Sequence, residues 1–398
     1  MQKLLKLHRK VSAIRTRSVA QSRGMGGYWS DWGIYQTPAC FAADLTTDGT
    51  FNSVNYAFFK LNEDGTIDLF DPWSDEQIDT RWNYQNLEEY WGNLLGLRKM
   101  QALSEIDGHR VNTAFSIGGW QNDSPGIDPK FSKVASTPDG REKFADAAIE
   151  KCRKYGFDRI DIDWEYPSAS DAENYALLLE TLRNKLNENE DTKNITISLA
   201  VPAGHQKELI DWKRVSKVVD HVNMMTYDMS GTWDALTGHQ CPIERSGIGD
   251  LTFNMRDCIE FYKTQGFRNV QLKLGVPMYF RTFAGVPNIN NGEYQSHKGP
   301  GSGDAGPGFK FLSTVWAEAE AGQYVWYWDE KSKASWAYNP QNQEYATGCS
   351  PQALSEIRDF AKEQGIEVFS WEARGDITSN WLASRILNGE DYTPGYDD

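Results

Sequence analysis

The chain has 398 residues, with 56 Asp and Glu against 41 Lys and Arg, a net charge of −15. That balance argues against nucleic acid or an anionic membrane surface as the main partner, because both reward a basic face; a neutral substrate fits better. The length allows a large core, and an α/β barrel of about 250 residues with insertions fits within it.

The first 23 residues, MQKLLKLHRKVSAIRTRSVAQSR, hold seven Lys and Arg and no acid. They lack the continuous apolar centre of a secretory signal. They read as a basic extension, and a flexible tail, an organelle transit segment and an arm docking to a larger assembly all stay open. Short apolar runs then recur, predicting strands at 24–29, 53–59, 111–116, 158–163, 196–201, 221–226, 271–276 and 366–371. Amphipathic helices lie between several of them. In 138–155, Phe144, Ala148, Ile149, Cys152 and Tyr155 recur at helical spacing, Pro138 suits a first turn and Gly156 a stop. A second helix is predicted over 171–187, with Asp171 or Ser170 as its cap.

Eightfold alternation of strand and helix is the pattern of a (β/α)8 TIM barrel. Residues 282–349 interrupt it and are too long for a loop. They contain a short helix pattern, TVWAEAEAG, and strand-like YVWYW, ASWAY and EYATG. The expected organisation is therefore a barrel from 24–281 and 350–398, with a small α+β insertion between its seventh strand and its last helix–strand pair. GSGDAG at 301–306 has glycine-loop spacing, but neither a strand nor a helix flanks it as phosphate binding requires, and it reads as a loop.

The five cysteines, Cys40, Cys152, Cys241, Cys258 and Cys349, are widely spaced without CxxC. That is neither a disulfide framework nor a zinc site, although one or two bridges stay open. The six His show no ligand spacing, so no metal or cofactor is expected. No run of about 18 apolar residues occurs, and no membrane span is expected. Fifteen Trp, 18 Tyr and 18 Phe are mostly core, with some Trp expected at a surface or cleft.

The stretch DRIDIDWEYP, 158–167, raises the chemical question. Side chains alternate along a strand, so Asp161, Asp163 and Glu165 share one face and Ile160, Ile162 and Trp164 the other. In a barrel the Ile face packs on helices and the acid face climbs toward the C-terminal mouth, where barrel active sites sit. Asp158 has the opposite parity and reads as structural. Carboxylates roughly 6.6 Å apart in a partly dry site raise one another's pKa and share protons. Such a group stays protonated near neutral pH and can serve as a general acid. A stability network is the bland alternative, and a hard-cation site would need more oxygen ligands than one strand offers.

DRIDIDWE matches DxxDxDxE, and on it the chain resembles the family 18 glycoside hydrolases, the chitinases and their relatives. FSIGGW (115–120), MTYD (225–228) with SGTWD (230–234), GVPMYFRTF (275–283) and SWE (370–372) resemble further strand motifs of that family, as do GYWSDW (27–32) and NYAFF (55–59). The order is right across roughly 24–387, and 282–349 sits where fungal and bacterial members carry an α+β insertion. Strand eight, VFSWEARGD, is less apolar than in many relatives, and GCSP at 348–351 replaces an acidic turn.

The resemblance implies a retaining chitinase that cuts β-1,4 linkages between N-acetylglucosamine units. Family 18 departs from the two-carboxylate scheme because the substrate supplies the nucleophile. Glu165 would be the general acid and base, Asp163 would hold the acetamide N–H, and Asp161 would share a proton with Asp163. Tyr227 and Asp228 match the acetamide-positioning pair. Trp371 would underlie the sugar at the cut, with Trp120 and Trp233 as flanking platforms. Met225, Tyr279, Arg281, Phe58 and Tyr28 match cleft-lining positions, though Met225, Phe58 and Tyr28 read equally as core. Trp73 reads as a distal sugar contact or as loop packing. The partner expected is chitin or a chito-oligosaccharide. A chitin-binding lectin of the same fold would usually lack the acid at Glu165, and an endo-β-N-acetylglucosaminidase acting on N-glycans would usually lack the insertion and the aromatic platforms. The substrate implies work outside the cell, although no secretory signal is visible.

Overall fold

The computed structural model describes residues 24–46, 49–78, 92–123, 129–246 and 253–392. The basic extension 1–23 and the last six residues, 393–398, lie outside them. Eight parallel strands, Met25–Ser30, Phe51–Leu61, Asn112–Gly118, Arg159–Asp163, Thr196–Pro202, His221–Met225, Leu272–Pro277 and Glu367–Trp371, form a closed (β/α)8 barrel. They fall close to the predicted positions. Strands buried on both faces read as continuous apolar runs, which makes them visible in sequence. By contact the chain divides into two compact units, up to Asn223 and from Met224.

In the first unit the fourth strand is buried throughout and pairs in parallel with the third and fifth. Ile160 and Ile162 are buried, and beyond them Trp164 stacks on Phe131 at 5.2 Å and meets Tyr175 edge-on at 5.5 Å. The helix Pro138–Tyr155 starts where Thr137 Oγ1 accepts the Gly140 N–H at 3.0 Å and stops at Gly156, which adopts a left-handed φ of 77°. The next helix differs at its start. The Asp171 carboxylate turns back to accept from the N–H and hydroxyl of Ser168, at 2.9 and 2.6 Å. This capping box adds a turn at Ala169–Asp171 before the helix Ala172–Asn187. Leu178, Leu179, Leu182 and Leu186 of that helix are buried, at about 1.5–3 kcal/mol each.

In the second unit the seventh and eighth strands pair in parallel, with Pro277 opposite Trp371. A second, antiparallel sheet has the order Phe309–Phe311, Tyr279–Phe283, Glu344–Thr347, Ala334–Asn339, Val325–Asp329. The helix Leu312–Glu320 follows its shortest strand, and Phe283, Val286, Trp336, Tyr338 and Tyr345 form its core. This sheet begins at Tyr279, earlier than the 282 read from the sequence. YFRTF follows GVPM without a turn residue, so no break is visible there. Asp304 of GSGDAG accepts the Phe311 N–H at 2.8 Å, a loop-bracing role.

Candidate active site

Asp161 stands opposite Ser116 of the third strand and Ser198 of the fifth. In register on one face, both hydroxyls reach its carboxylate: Ser116 donates to Oδ2 at 2.7 Å and Ser198 to Oδ1. Tyr28 of the first strand donates to Oδ2 at 2.8 Å, and the Asn223 amide of the sixth donates to Oδ1 at 3.2 Å and to the Tyr28 hydroxyl at 2.9 Å. Each carboxylate oxygen thus accepts two hydrogen bonds, from four different side chains in all. All four are neutral.

Asp163, one step up the same face, is only 4 % exposed, and its Oδ1 has no hydrogen-bond partner among the described residues. Burial first, then the charges of Glu165 and Asp161, push its carboxyl well above the ordinary range. The strand ends at Asp163, so Glu165 lies beyond it and is half-buried. Burial and the neighbouring acids thus favour the protonated form of Asp163. Tyr28 is also pushed up, by burial and then by Asp161 and Asp163.

The glycines of FSIGGW let the third strand pass this close. A Cβ on Gly118 would stand 2.3 Å from the Asp163 carbonyl oxygen, and one on Gly119 would stand 2.7 Å from the Phe58 ring. Both have positive φ, 112° and 80°. The Gly119 N–H donates to the Asp163 carbonyl at 2.8 Å, and Trp120 follows, 54 % exposed. Phe58 is buried with its ring 6.2 Å from Trp32. Trp73 is exposed and stacks on Tyr35 at 5.8 Å. Asp158 is structural as read, accepting from the Gln101 side chain at 2.7 Å and the Thr113 N–H at 2.9 Å.

In the second unit, Tyr227 and Asp228 follow the sixth strand. Asp228 has a left-handed φ of 54° and meets Arg281 through two parallel hydrogen bonds, Nε to Oδ1 at 2.7 Å and Nη2 to Oδ2 at 2.8 Å. The Arg281 guanidinium lies over the rings of Tyr279 and Trp233, at 5.2 and 5.4 Å. Trp233 is 61 % exposed. Tyr279 is buried, stacked on Phe309 at 4.5 Å and edge-on to Tyr227 at 6.3 Å. The Gln240 side-chain oxygen accepts the Arg281 N–H at 3.2 Å. Gly275 permits the approach of Tyr227, whose ring would be 2.8 Å from an added Cβ. Met225 and Trp371 are each half-buried at the ends of the sixth and eighth strands.

Residues 25–376 match the family model for glycosyl hydrolases family 18. The chain belongs to that family. This family-18 glycoside hydrolase is 30% identical to Endochitinase 1 of Metarhizium robertsii over 364 residues, 88% of this chain and 80% of that protein. It is 29% identical to Chitinase A1 of Niallia circulans over 341 residues, 78% of this chain but only 46% of that longer protein. The crystal structure of a Group IV chitinase from Ostrinia furnacalis in complex with allosamidin superposes with a TM-score of 0.77 at 23% identity, covering 91% of this chain and 96% of the other. That likeness carries the fold.

Three of the donors to Asp161 were missed in the sequence reading: Ser116, Ser198 and Asn223. Each is a polar residue inside an otherwise apolar run, which was the available signal. Among the described residues one group could hold a metal ion, His239, Glu293 and Asp329, whose ligand atoms lie within 4.8 Å of one another. These already pair with each other, His239 Nε2 lying 3.0 Å from Glu293 and 3.7 Å from Asp329. Burial opposes a charged His239, but hydrogen bonds to Asp329 and Glu293 carry its pKa above the ordinary value. Among the described residues no helix is long and apolar enough to cross a membrane.

Proposed function

We propose that the chain is a retaining chitinase acting on chitin and chito-oligosaccharides through substrate-assisted catalysis. The observation that carries this is Asp163, buried beside two acids with one oxygen unpartnered among the described residues. A stability network would complete that oxygen's bonding; a site awaiting a donor leaves it open. The donor is the acetamide N–H of the sugar at the cut.

In this reading Glu165 protonates the glycosidic oxygen. The acetamide carbonyl oxygen attacks C1 from the opposite face, the leaving sugar departs with the proton, and an oxazolinium ion forms. Asp163 accepts the acetamide N–H and balances the positive charge, and it shares its resting proton with Asp161. Glu165, now a carboxylate, takes a proton from water as that water attacks C1, which returns the β-anomer. Holding the acetamide in line converts a weak nucleophile into an effective one, a task assigned to Tyr227 and Asp228. Trp371 supports the reacting sugar, and the exposed Trp120 and Trp233 offer further sugar platforms. Met225, Tyr279, Arg281 and Phe58 line the site, and Tyr28 positions Asp161. We assign the barrel to residues 24–281 and 350–398 and a cleft wall to the insertion 282–349, whose sheet also takes in Tyr279, Phe280 and Arg281. Such a substrate implies action outside the cell.

The test is hydrolysis of N-acetylglucosamine hexamer with product anomers read early by NMR, with Glu165→Gln alongside. We expect β-anomers from the wild type and a loss of roughly 10³-fold in kcat in the variant. Initial α-anomers, or undiminished turnover by Glu165→Gln, would overturn the mechanism. Tight binding of the hexamer by both proteins without cleavage would indicate a lectin.

A further inference from the structure

Cys241 and Cys349 are 108 positions apart in sequence, yet their Sγ atoms lie 3.2 Å from each other and both side chains are buried. Their backbones are held on both sides. The Trp316 indole N–H donates to the Cys349 carbonyl at 3.0 Å, and the N–H of Gln240, next to Cys241, donates to Thr347 Oγ1 at 2.9 Å. The Ser335 hydroxyl accepts the Ser350 N–H and donates to the Gly348 carbonyl, each at 2.9 Å, clamping both neighbours of Cys349. A disulfide needs sulfurs about 2.05 Å apart, so closure asks each to swing by only about 0.6 Å. Two thiols make at best a weak hydrogen bond, which gives little reason by itself to bury both against each other.

We propose that Cys241 and Cys349 form a disulfide in the oxidised protein. One thiolate attacks a small disulfide of the glutathione type, forming a mixed disulfide and releasing one reduced thiol. The second thiolate then attacks the protein sulfur of that mixed disulfide and releases the other. The cysteines lose two protons and two electrons, and the small disulfide is reduced to two thiols. Because both sulfurs are buried, exchange takes place during folding, before the second sheet packs. The bridge ties the segment carrying Asp228, Trp233 and Gln240 to the exit of the second sheet. It braces the Gln240 side chain that receives the Arg281 N–H. This inference stands independently of the proposed activity.

The full chain would be refolded in a mixture of reduced and oxidised glutathione, then denatured without reductant for thiol counting and peptide mapping. The expected result is a fall from the five thiols of the sequence to three, the two bridged sulfurs being lost, with one cross-link joining 241 to 349. The melting temperature should be about 5 °C higher than in strong reductant, a gap abolished in both Cys349→Ser and Cys241→Ala. Five thiols after this treatment, a cross-link through Cys40, Cys152 or Cys258, or a gap that survives in Cys349→Ser would each overturn it.

Discussion

Asp163 in the barrel and Glu344 in the second sheet are both buried carboxylates, and their fates are opposite. Glu344 accepts from the N–H and hydroxyl of Ser302 at 2.7 and 2.6 Å and from Tyr324, and Lys310 lies 3.6 Å away. Burial pushes it up, but these donors win and hold its pKa below the ordinary value. Asp163 has acids as neighbours, and everything acting on it raises its pKa. Burial therefore does not decide the charge of an interior acid; the supply of donors and cations does. In the second sheet Glu344 is surrounded by donors, while in the barrel Asp163 Oδ1 has none among the described residues.

The comparison breaks most visibly at Asp163. Its folded pKa lies above its unfolded one, so the folded state holds a proton that the unfolded chain releases as pH rises past about 4. Stability is therefore lost on going from acid toward neutral pH. Asp163→Asn removes that penalty: its melting temperature should match the wild type near pH 3.5 and exceed it near pH 7, while kcat falls about 10²-fold. A melting temperature below wild type near pH 7 would mean that the carboxylate is ionised and stabilising.

Glu344 carries the opposite sign. Its lowered pKa contributes stability above the unfolded value, and that contribution disappears as pH falls through the folded one. Glu344→Gln should cost about 1–3 kcal/mol near pH 7, converge with wild type in acid, and leave kcat unchanged. Chemical denaturation across pH, paired with a hexamer assay, reads both. Asp228 supplies the smallest effect, being compensated by a cation yet partly exposed. Arg281→Lys keeps the charge but loses the two-pronged geometry, so we expect a loss of about 1 kcal/mol and a modest rise in KM, measured by the same methods.

The parts of this comparison were unequally legible. The acid ladder could be read because its parity is local: Asp161 and Asp163 are two residues apart on one strand. Glycine pairs and caps are local too, as at Gly118, Gly119 and Gly156. The donors to Asp161 come from four other strands, and only register brings them together, which a single sequence does not state. The Asp228–Arg281 pair hides for the same reason. The start of the second sheet at Tyr279 hides because no turn residue separates it from the seventh strand. Glu165 kept its identity as the terminal acid, but its half-burial beyond the strand end was not visible in an alternation that never stops.

The four donors to Asp161 also bear on assembly. They come from Tyr28, 133 positions before it, and Asn223, 62 positions after it, with Ser116 and Ser198 between. Until those strands are in register the carboxylate has no substitute for water, and it favours the unfolded chain. It can only be sealed late on the folding route, once contacts of long sequence separation have formed. Asp161→Asn should accordingly speed unfolding far more than it slows refolding, a split readable from the two arms of a stopped-flow chevron. The residue at the base of the acid ladder then works as a latch that closes only once the first, third, fifth and sixth strands are in register.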